Sequence, residues 1–137
     1  MGSAPTRPLV EVIGLDHVVF RCRDAERALD FYTNVLGLEA ERVEEWRRGE
    51  VPFPSVRITP TTIIDLFPFP PEQVAPADGA RNVDHVCLVI APADLDALAA
   101  AFPDAQRADG LFGAQGYASS VYIRDPEGNT VELRSYT

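Results

Sequence analysis

Two histidines and two acidic residues in apolar surroundings carry the chemistry that can be read from this chain. Asp16-His17-Val18 recurs as Asp84-His85-Val86, and Ile64-Asp65-Leu66 recurs as Val131-Glu132-Leu133. The offsets are 68 and 67 residues, and His17 and His85 are the only histidines. Each half therefore pairs a histidine with a carboxylate 48 or 47 residues later. An acid among Ile, Leu and Val is costly unless it is paired or ligating. A lone strand histidine is ordinarily a hydrogen-bonded core or rim residue, and a lone carboxylate is ordinarily solvated. Four such residues in symmetric register point instead to a borderline divalent metal: Zn, Ni, Co, Mn or Fe.

The elements that must position them follow from periodicity. Val10 to Arg21 reads as a strand. Asp24 caps a helix to about Val35, stopped by Gly37. Leu38 to Trp46 reads as a strand with a charged face, Arg48-Gly49-Glu50 as a turn. Ser55 to Thr59 and Thr62 to Phe67 are strands about a Pro60-Thr61 turn. Pro68, Pro70, Pro71 and Pro76 make a stiff linker to about Arg81. The order then repeats: strand Asn82 to Ile90, helix from Pro92 to Phe102, a glycine-rich loop from Arg107 to Tyr117, strand Ala118 to Arg124, turn Asp125 to Asn129, and strand Thr130 to Tyr136. The loop spanning Asp109 to Gly116 reads as a mobile lid. The expected class is α+β, with βαβββ modules 10–68 and 82–137 in one domain, 10–137, behind a flexible N-terminal tail, 1–9.

Alternation along each strand sorts side chains to two faces. Val18, Phe20, Val86 and Leu88 take the face under the helices, which turns His17, Asp65, His85 and Glu132 to the other. Val56, Ile58, Val121 and Ile123 should face the core. Ser55, Arg57, Thr59, Ser120, Tyr122 and Arg124 should then line a cavity. Arg21, Arg57, Arg124 and Arg134 bring positive charge towards it, and at least one is expected to hold an anionic group. Candidate substrate contacts are Arg21, Arg57, Ser120, Tyr122 and Arg124. Cys87 shares the side of His85, and the expectation is a small buried hydrophobe. Trp46, Phe53, Phe67, Phe69, Phe112 and Tyr117 are candidates for a pocket wall, though most should serve packing.

Composition narrows the classes. The 137 residues are 46% hydrophobic with a net charge of -9, so a basic nucleic-acid surface is not expected. All 12 basic residues are Arg, which excludes a lysine Schiff base. No apolar run reaches the roughly 20 residues of a membrane span. Two cysteines and no apolar leader suggest a reduced, cytoplasmic protein. The start, Met1-Gly2-Ser3-Ala4-Pro5-Thr6, formally matches a myristoylation pattern, but a frayed N-terminus explains it better. Neither a phosphate-loop spacing nor a nucleophile-elbow motif is present.

The segments Leu15-Asp16-His17-Val18, Ala28-Leu29-Asp30-Phe31-Tyr32-Thr33-Asn34-Val35-Leu36-Gly37-Leu38, Asp84-His85-Val86 and Tyr122-Ile123-Arg124-Asp125-Pro126-Glu127-Gly128-Asn129-Thr130-Val131-Glu132-Leu133 together resemble the vicinal oxygen chelate superfamily. That group includes glyoxalase I, extradiol dioxygenases and fosfomycin or bleomycin resistance proteins. The resemblance runs from about Gly14 to Tyr136. It implies mixed sheets around an open barrel-like cavity, a homodimer, a small-molecule substrate, and metal ligands at His17, Asp65, His85 and Glu132. Asp65 stands where glyoxalase-like members often carry Glu; one methylene shorter, it is less suited to direct ligation and can act through water. The implied function is a divalent-metal-dependent, glyoxalase-like lyase or isomerase, with Glu132 or Asp65 as base. An Fe(II) extradiol dioxygenase held by His17, His85 and Glu132 ranks lower, because no further histidine is left for acid–base work. A metal-free drug-binding protein is the third reading, and retention of all four positions argues against it. A thiol transferase of the fosfomycin type would need a potassium loop that is not evident.

Overall fold

The chain was analysed as a computed structural model, which describes residues 7–70, 82–126 and 129–137. Most of the expected tail, the linker from Pro71 to Arg81, and two residues of the Asp125 to Asn129 turn lie outside these. The first unit contains β1 (Val12–Cys22), α1 (Ala25–Asp30), β2 (Glu39–Glu41), α2 (Val43–Arg47), β3 (Ser55–Thr59) and β4 (Thr62–Pro68). The second contains β5 (Val83–Ile90), α3 (Leu95–Ala100), β6 (Gln106–Gly113), β7 (Gly116–Arg124) and β8 (Thr130–Ser135). The fold class is the α+β arrangement of two βαβββ units. Their strands form one mixed sheet, ordered β2-β3-β4-β1-β5-β8-β7-β6 and curled into a half-barrel, rather than two separate facing sheets.

Within each unit the first and last strands pair in parallel, β1 with β4 and β5 with β8. The units join where β1 and β5 pair antiparallel. The convex face carries two small cores. Under α1, Leu29 and Ala25 pack with Cys22, Val56 and Leu66. Under α3, Leu98 packs with Ile90, Val121 and Leu133. These apolar rows leave the opposite, concave face to polar side chains. No helix among the described residues is long and apolar enough to cross a membrane.

Local chemistry explains where elements start and stop. Asp24 caps α1 by accepting from the Arg27 N–H at 3.0 Å. After Asp30 the helix widens into a π turn over Phe31–Val35. Gly37, at φ 75°, then turns the chain. The second helix starts at Leu95, not Pro92, because Asp94 caps it, accepting from the Asp96 and Ala97 N–H groups at 3.1 Å each.

Further expectations are corrected. Leu38 to Trp46 is not one strand: Arg42 adopts a left-handed backbone at φ 61°, ending β2, and Val43 and Trp46 then pack onto the first core at helical spacing. Arg107 to Tyr117 is not a lid loop but nearly all of β6, the turn and the start of β7, a paired hairpin. Its glycines fit a ladder: Gly110, at φ 66°, sits in the register shift between Ala108 and Leu111, and Gly116, at φ 104°, closes the turn. Ile58 is also largely exposed, unlike the buried Val56.

Candidate metal centre

The concave face is built from two matching rungs across the sheet. In one, Ser55, Asp65, Val19 and His85 lie side by side on β3, β4, β1 and β5. In the other, Tyr122, Glu132, Cys87 and His17 lie on β7, β8, β5 and β1. The short side chains of Val19 and Cys87 let the flanking groups lean over them towards each other.

Three of the four expected ligands converge. His85 Nε2 is 3.0 Å and His17 Nε2 3.3 Å from the same Glu132 oxygen, Oε1. Ligand atoms from His17, His85 and Glu132 all lie within 4.8 Å of one another. Metal bonds of about 2.0–2.1 Å place adjacent donors roughly 3.0–3.4 Å apart, between octahedral and tetrahedral geometry. The two histidine–Glu132 separations fall in that range, and two imidazoles with one carboxylate are a donor set that fits a borderline divalent ion. Asp65 stands beside it: Oδ2 is 3.8 Å from His17 Nε2, while Oδ1 accepts from Ser55 Oγ at 2.6 Å.

Each histidine is oriented by the acid before it. His17 Nδ1 lies 2.7 Å from Asp16 Oδ2, and His85 Nδ1 2.7 Å from Asp84 Oδ2. This leaves both Nε2 atoms facing the cavity, the carboxylate–histidine arrangement of metal sites. Simple alternation would turn Asp16 and Asp84 away from their histidines. Register shifts fall at both positions, between Leu15 and His17 on β1 and opposite Val19 and Phe20 on β5, so each acid is the extra residue of a bulge. Sequence reasoning did not give these acids a role, although both belong to the repeated triplets.

Glu132 is anchored from behind. Ser120 Oγ donates to Oε2 at 2.7 Å, and Arg134 Nη1 to the same oxygen at 3.3 Å. Arg134 is wholly buried; it also donates to the carbonyls of Leu111 and Gly116 and lies over the Tyr136 ring. Asp16 in turn accepts from the Ala114 N–H at 2.9 Å and from Tyr136 Oη at 2.5 Å.

These contacts set the charges. Burial opposes a charge on His17, but hydrogen bonds to Asp16 and Glu132 and the fields of Asp65 and Glu132 outweigh it, raising its pKa to about 9. His85 is raised too: burial opposes its charge, and the bonds to Asp84 and Glu132 prevail. Asp84 is lowered to about 2, chiefly by its bond to His85. Burial pushes Glu132 up, yet bonds from His17, His85 and Ser120 hold it well below the usual carboxylate range. Asp65 ends above its ordinary value, because burial outweighs His17 and Ser55. Cys87 is fully buried and its thiol is pushed up by burial and by Glu132, in keeping with the expected inert hydrophobe. It also lies in a second group, with Asp16 and His17, whose ligand atoms are close enough for a metal.

A cavity of about 400 Å³ opens over the triad. Of the expected substrate contacts, Arg21 and Tyr122 line it. Arg21 is paired with Asp84 at 2.9 Å. Tyr122 stacks edge-on to His85, with 5.5 Å between centroids. Ser120 is buried behind Glu132. Arg57 and Arg124 are not in the lining. Arg57 pairs with Glu41 and donates to the Ala114 carbonyl at 2.9 Å, tying β3 to the β6–β7 turn. Arg124 lies along a separate groove with Asn82 and Asp125. Phe53, Phe67, Phe112 and Tyr117 do form an aromatic wall. Trp46 packs on the convex core instead. The cavity also holds a cation the sequence did not single out, Arg42.

Residues 14–133 match the Glyoxalase/Bleomycin resistance protein/Dioxygenase superfamily. The glyoxalase domain-containing protein RDO1 of Mycosarcoma maydis is 31% identical over 135 residues, 93% of this chain and 70% of that protein. An extradiol ring-cleaving dioxygenase from B. fuscum superposes with a TM-score of 0.66 at 16% identity, over 97% of this chain and 35% of that one. The Mn(II)-bound glyoxalase from Novosphingobium aromaticivorans gives 0.62 at 17% identity, over 93% and 40%. The chain spans less than half the length of either of those two proteins, and the likeness to them is one of fold.

Proposed function

Because the chain belongs to the glyoxalase/bleomycin resistance/dioxygenase superfamily, we propose that it is a divalent-metal-dependent, glyoxalase-like enzyme of the lyase or isomerase type, acting on a small substrate through a neighbouring pair of oxygens. The observation that carries this reading is the convergence of His17 Nε2 and His85 Nε2 on one Glu132 oxygen, with Asp65 alongside. We assign His17, His85 and Glu132 as ligands. A bound divalent ion would supply Lewis acidity, steadying negative charge on substrate oxygens.

The chain's own residues do the rest. Asp16 and Asp84 fix the imidazoles so that Nε2 faces inwards. Ser120 and Arg134 hold Glu132 in place, which suits a ligand better than a mobile base. Asp65 is the better base: Ser55 holds one oxygen, the other faces the histidines, and burial has raised its basicity. It would take a proton from the carbon next to the chelating oxygens and return it to a neighbouring atom. The apolar wall excludes water from this transfer.

A second reading has an observation of its own. The three converging ligands form a two-histidine, one-carboxylate set, and Asp65 lies just outside it, as an Fe(II) extradiol dioxygenase would require. Identification of the metal in the purified protein, followed by assays on hemithioacetals, catechols and thiol addition to epoxides, decides between them. A proton-transfer product with Zn, Ni, Co or Mn supports the first reading. Iron with catechol cleavage replaces it with the second. Absence of metal together with tight binding of an aromatic drug would leave a metal-free binding protein. On the same family reading we propose a cytoplasmic homodimer; sedimentation at a single-chain mass would contradict the dimer.

A further inference from the structure

Arg42 stands in the cavity wall in a way that packing does not explain. Its guanidinium carbon is 4.0 Å from the centroid of the Phe112 ring and 4.7 Å from that of Phe53. Nη2 donates to the Phe53 carbonyl at 3.1 Å. Nε is buried with no hydrogen-bond partner. Among the described residues no carboxylate lies within ion-pair distance of it, whereas Arg21, the other cation in the lining, is committed to Asp84. Its backbone takes the left-handed region, uncommon for a residue with a Cβ. The two rings flank the guanidinium, and the nearest acid influence on it, the field shared with Asp65 across the same cavity, is not a direct ion pair. A partly desolvated guanidinium without a bonded carboxylate attracts a planar anion.

We propose that Arg42 is the specificity-determining residue of this cavity, and that it takes the carboxylate of a small substrate whose body rests on the aromatic wall while its paired oxygens reach the metal triad. This rests on the metal reading for the substrate's other end only. The class recognised is thus a monoanionic carboxylate with an apolar or aromatic core and a separate chelating oxygen pair.

The test uses two probes of one shape, 3,4-dihydroxybenzoate and 3,4-dihydroxybenzamide, which share the chelating diol and differ in charge. Calorimetric titration of the metal-loaded protein should give the benzoate an affinity at least about tenfold higher, the usual scale of a hydrogen-bonded ion pair out of bulk water. Arg42→Met should bind both probes about equally, with metal content unchanged, and Arg42→Lys should keep part of the preference. Equal binding of the probes by the wild type, binding of neither, or an undiminished preference in Arg42→Met overturns the assignment. Repeating the titrations after metal removal separates the two claims. A preference for benzoate that persists and depends on Arg42 sustains the anion site whatever becomes of the metal. A protein that holds metal yet ignores the charge overturns Arg42 alone.

Discussion

Asp84 is given no substrate contact, yet it would decide how His85 meets a metal. Its carboxylate holds Nδ1 and frees Nε2, so Asp84→Asn should weaken metal binding by about 10- to 100-fold, the range for loss of an orienting partner. A chelator-competition titration measures this, and an unchanged affinity would show that the histidine orients without help. His17 gives a second prediction, for the metal-free protein. Its pKa rises from 6.5 unfolded to about 9 folded, so its protonated form stabilises the fold. That contribution is full below pH 6.5 and is lost as pH climbs through about 9. Melting temperature in excess chelator should therefore fall between those limits; a flat or rising profile contradicts the assignment. Saturating metal should remove the trend, since ligation requires the neutral ring. At this scale the sequence was informative about which residues converge, because their type and register survive duplication. It was silent on Asp16, Asp84 and Arg42. The two acids reach their histidines through bulges, and Arg42 reaches the cavity through one left-handed residue. Alternation cannot register either event.

The strands that carry the converging histidines and acids were legible because each alternates an apolar convex row with a polar concave one. The β6–β7 hairpin was not. Glycines at 110, 113 and 116 read as loop punctuation, but they serve a twisted ladder packed over a buried arginine. Gly113 has a specific reason to lack a side chain: a Cβ there would lie 2.5 Å from Arg134 Cζ. Arg134 is pinned by three acceptors, Glu132 and the carbonyls of Leu111 and Gly116, and has little room to yield. Gly113→Ala should therefore destabilise the protein by about 1–3 kcal/mol, the cost of overpacking. It should also weaken metal binding by displacing Glu132. Denaturant melts and a metal titration check both, and a neutral substitution would show that Arg134 is freer than its contacts indicate. The stretch from Leu38 to Trp46 misled for a related reason. Val43 and Trp46 are apolar in any reading, and only the left-handed Arg42 tells which period they follow.

At the level of the whole molecule, duplication places the joint between units, β1 against β5, at the centre of the sheet, and the site lies over that joint. The sheet's opposite edges, β2–β3 and β6–β7, meet across the cavity through Arg57 on the Ala114 carbonyl and Arg42 against Phe112. Arg57 was expected to meet substrate; it holds the half-barrel closed instead, its charge already paired with Glu41. Arg57→Met should speed amide hydrogen exchange at the 111–116 end of the hairpin while leaving β1 and β5 protected. Uniform acceleration across the sheet would mean that the latch supports global stability rather than closure. The two-unit architecture itself was legible in the repeated triplets, whereas the meeting of the sheet's edges depends on curvature, which strand patterns do not encode.

Titration with Co(II), followed by visible absorption, tests the metal centre most directly. Saturation at one ion per chain is expected, with the weak ligand-field bands of nitrogen and oxygen donors, and His85→Ala should abolish them. Lack of saturable binding would contradict the centre, as would an intense thiolate charge-transfer band placing the ion at Cys87 with Asp16 and His17.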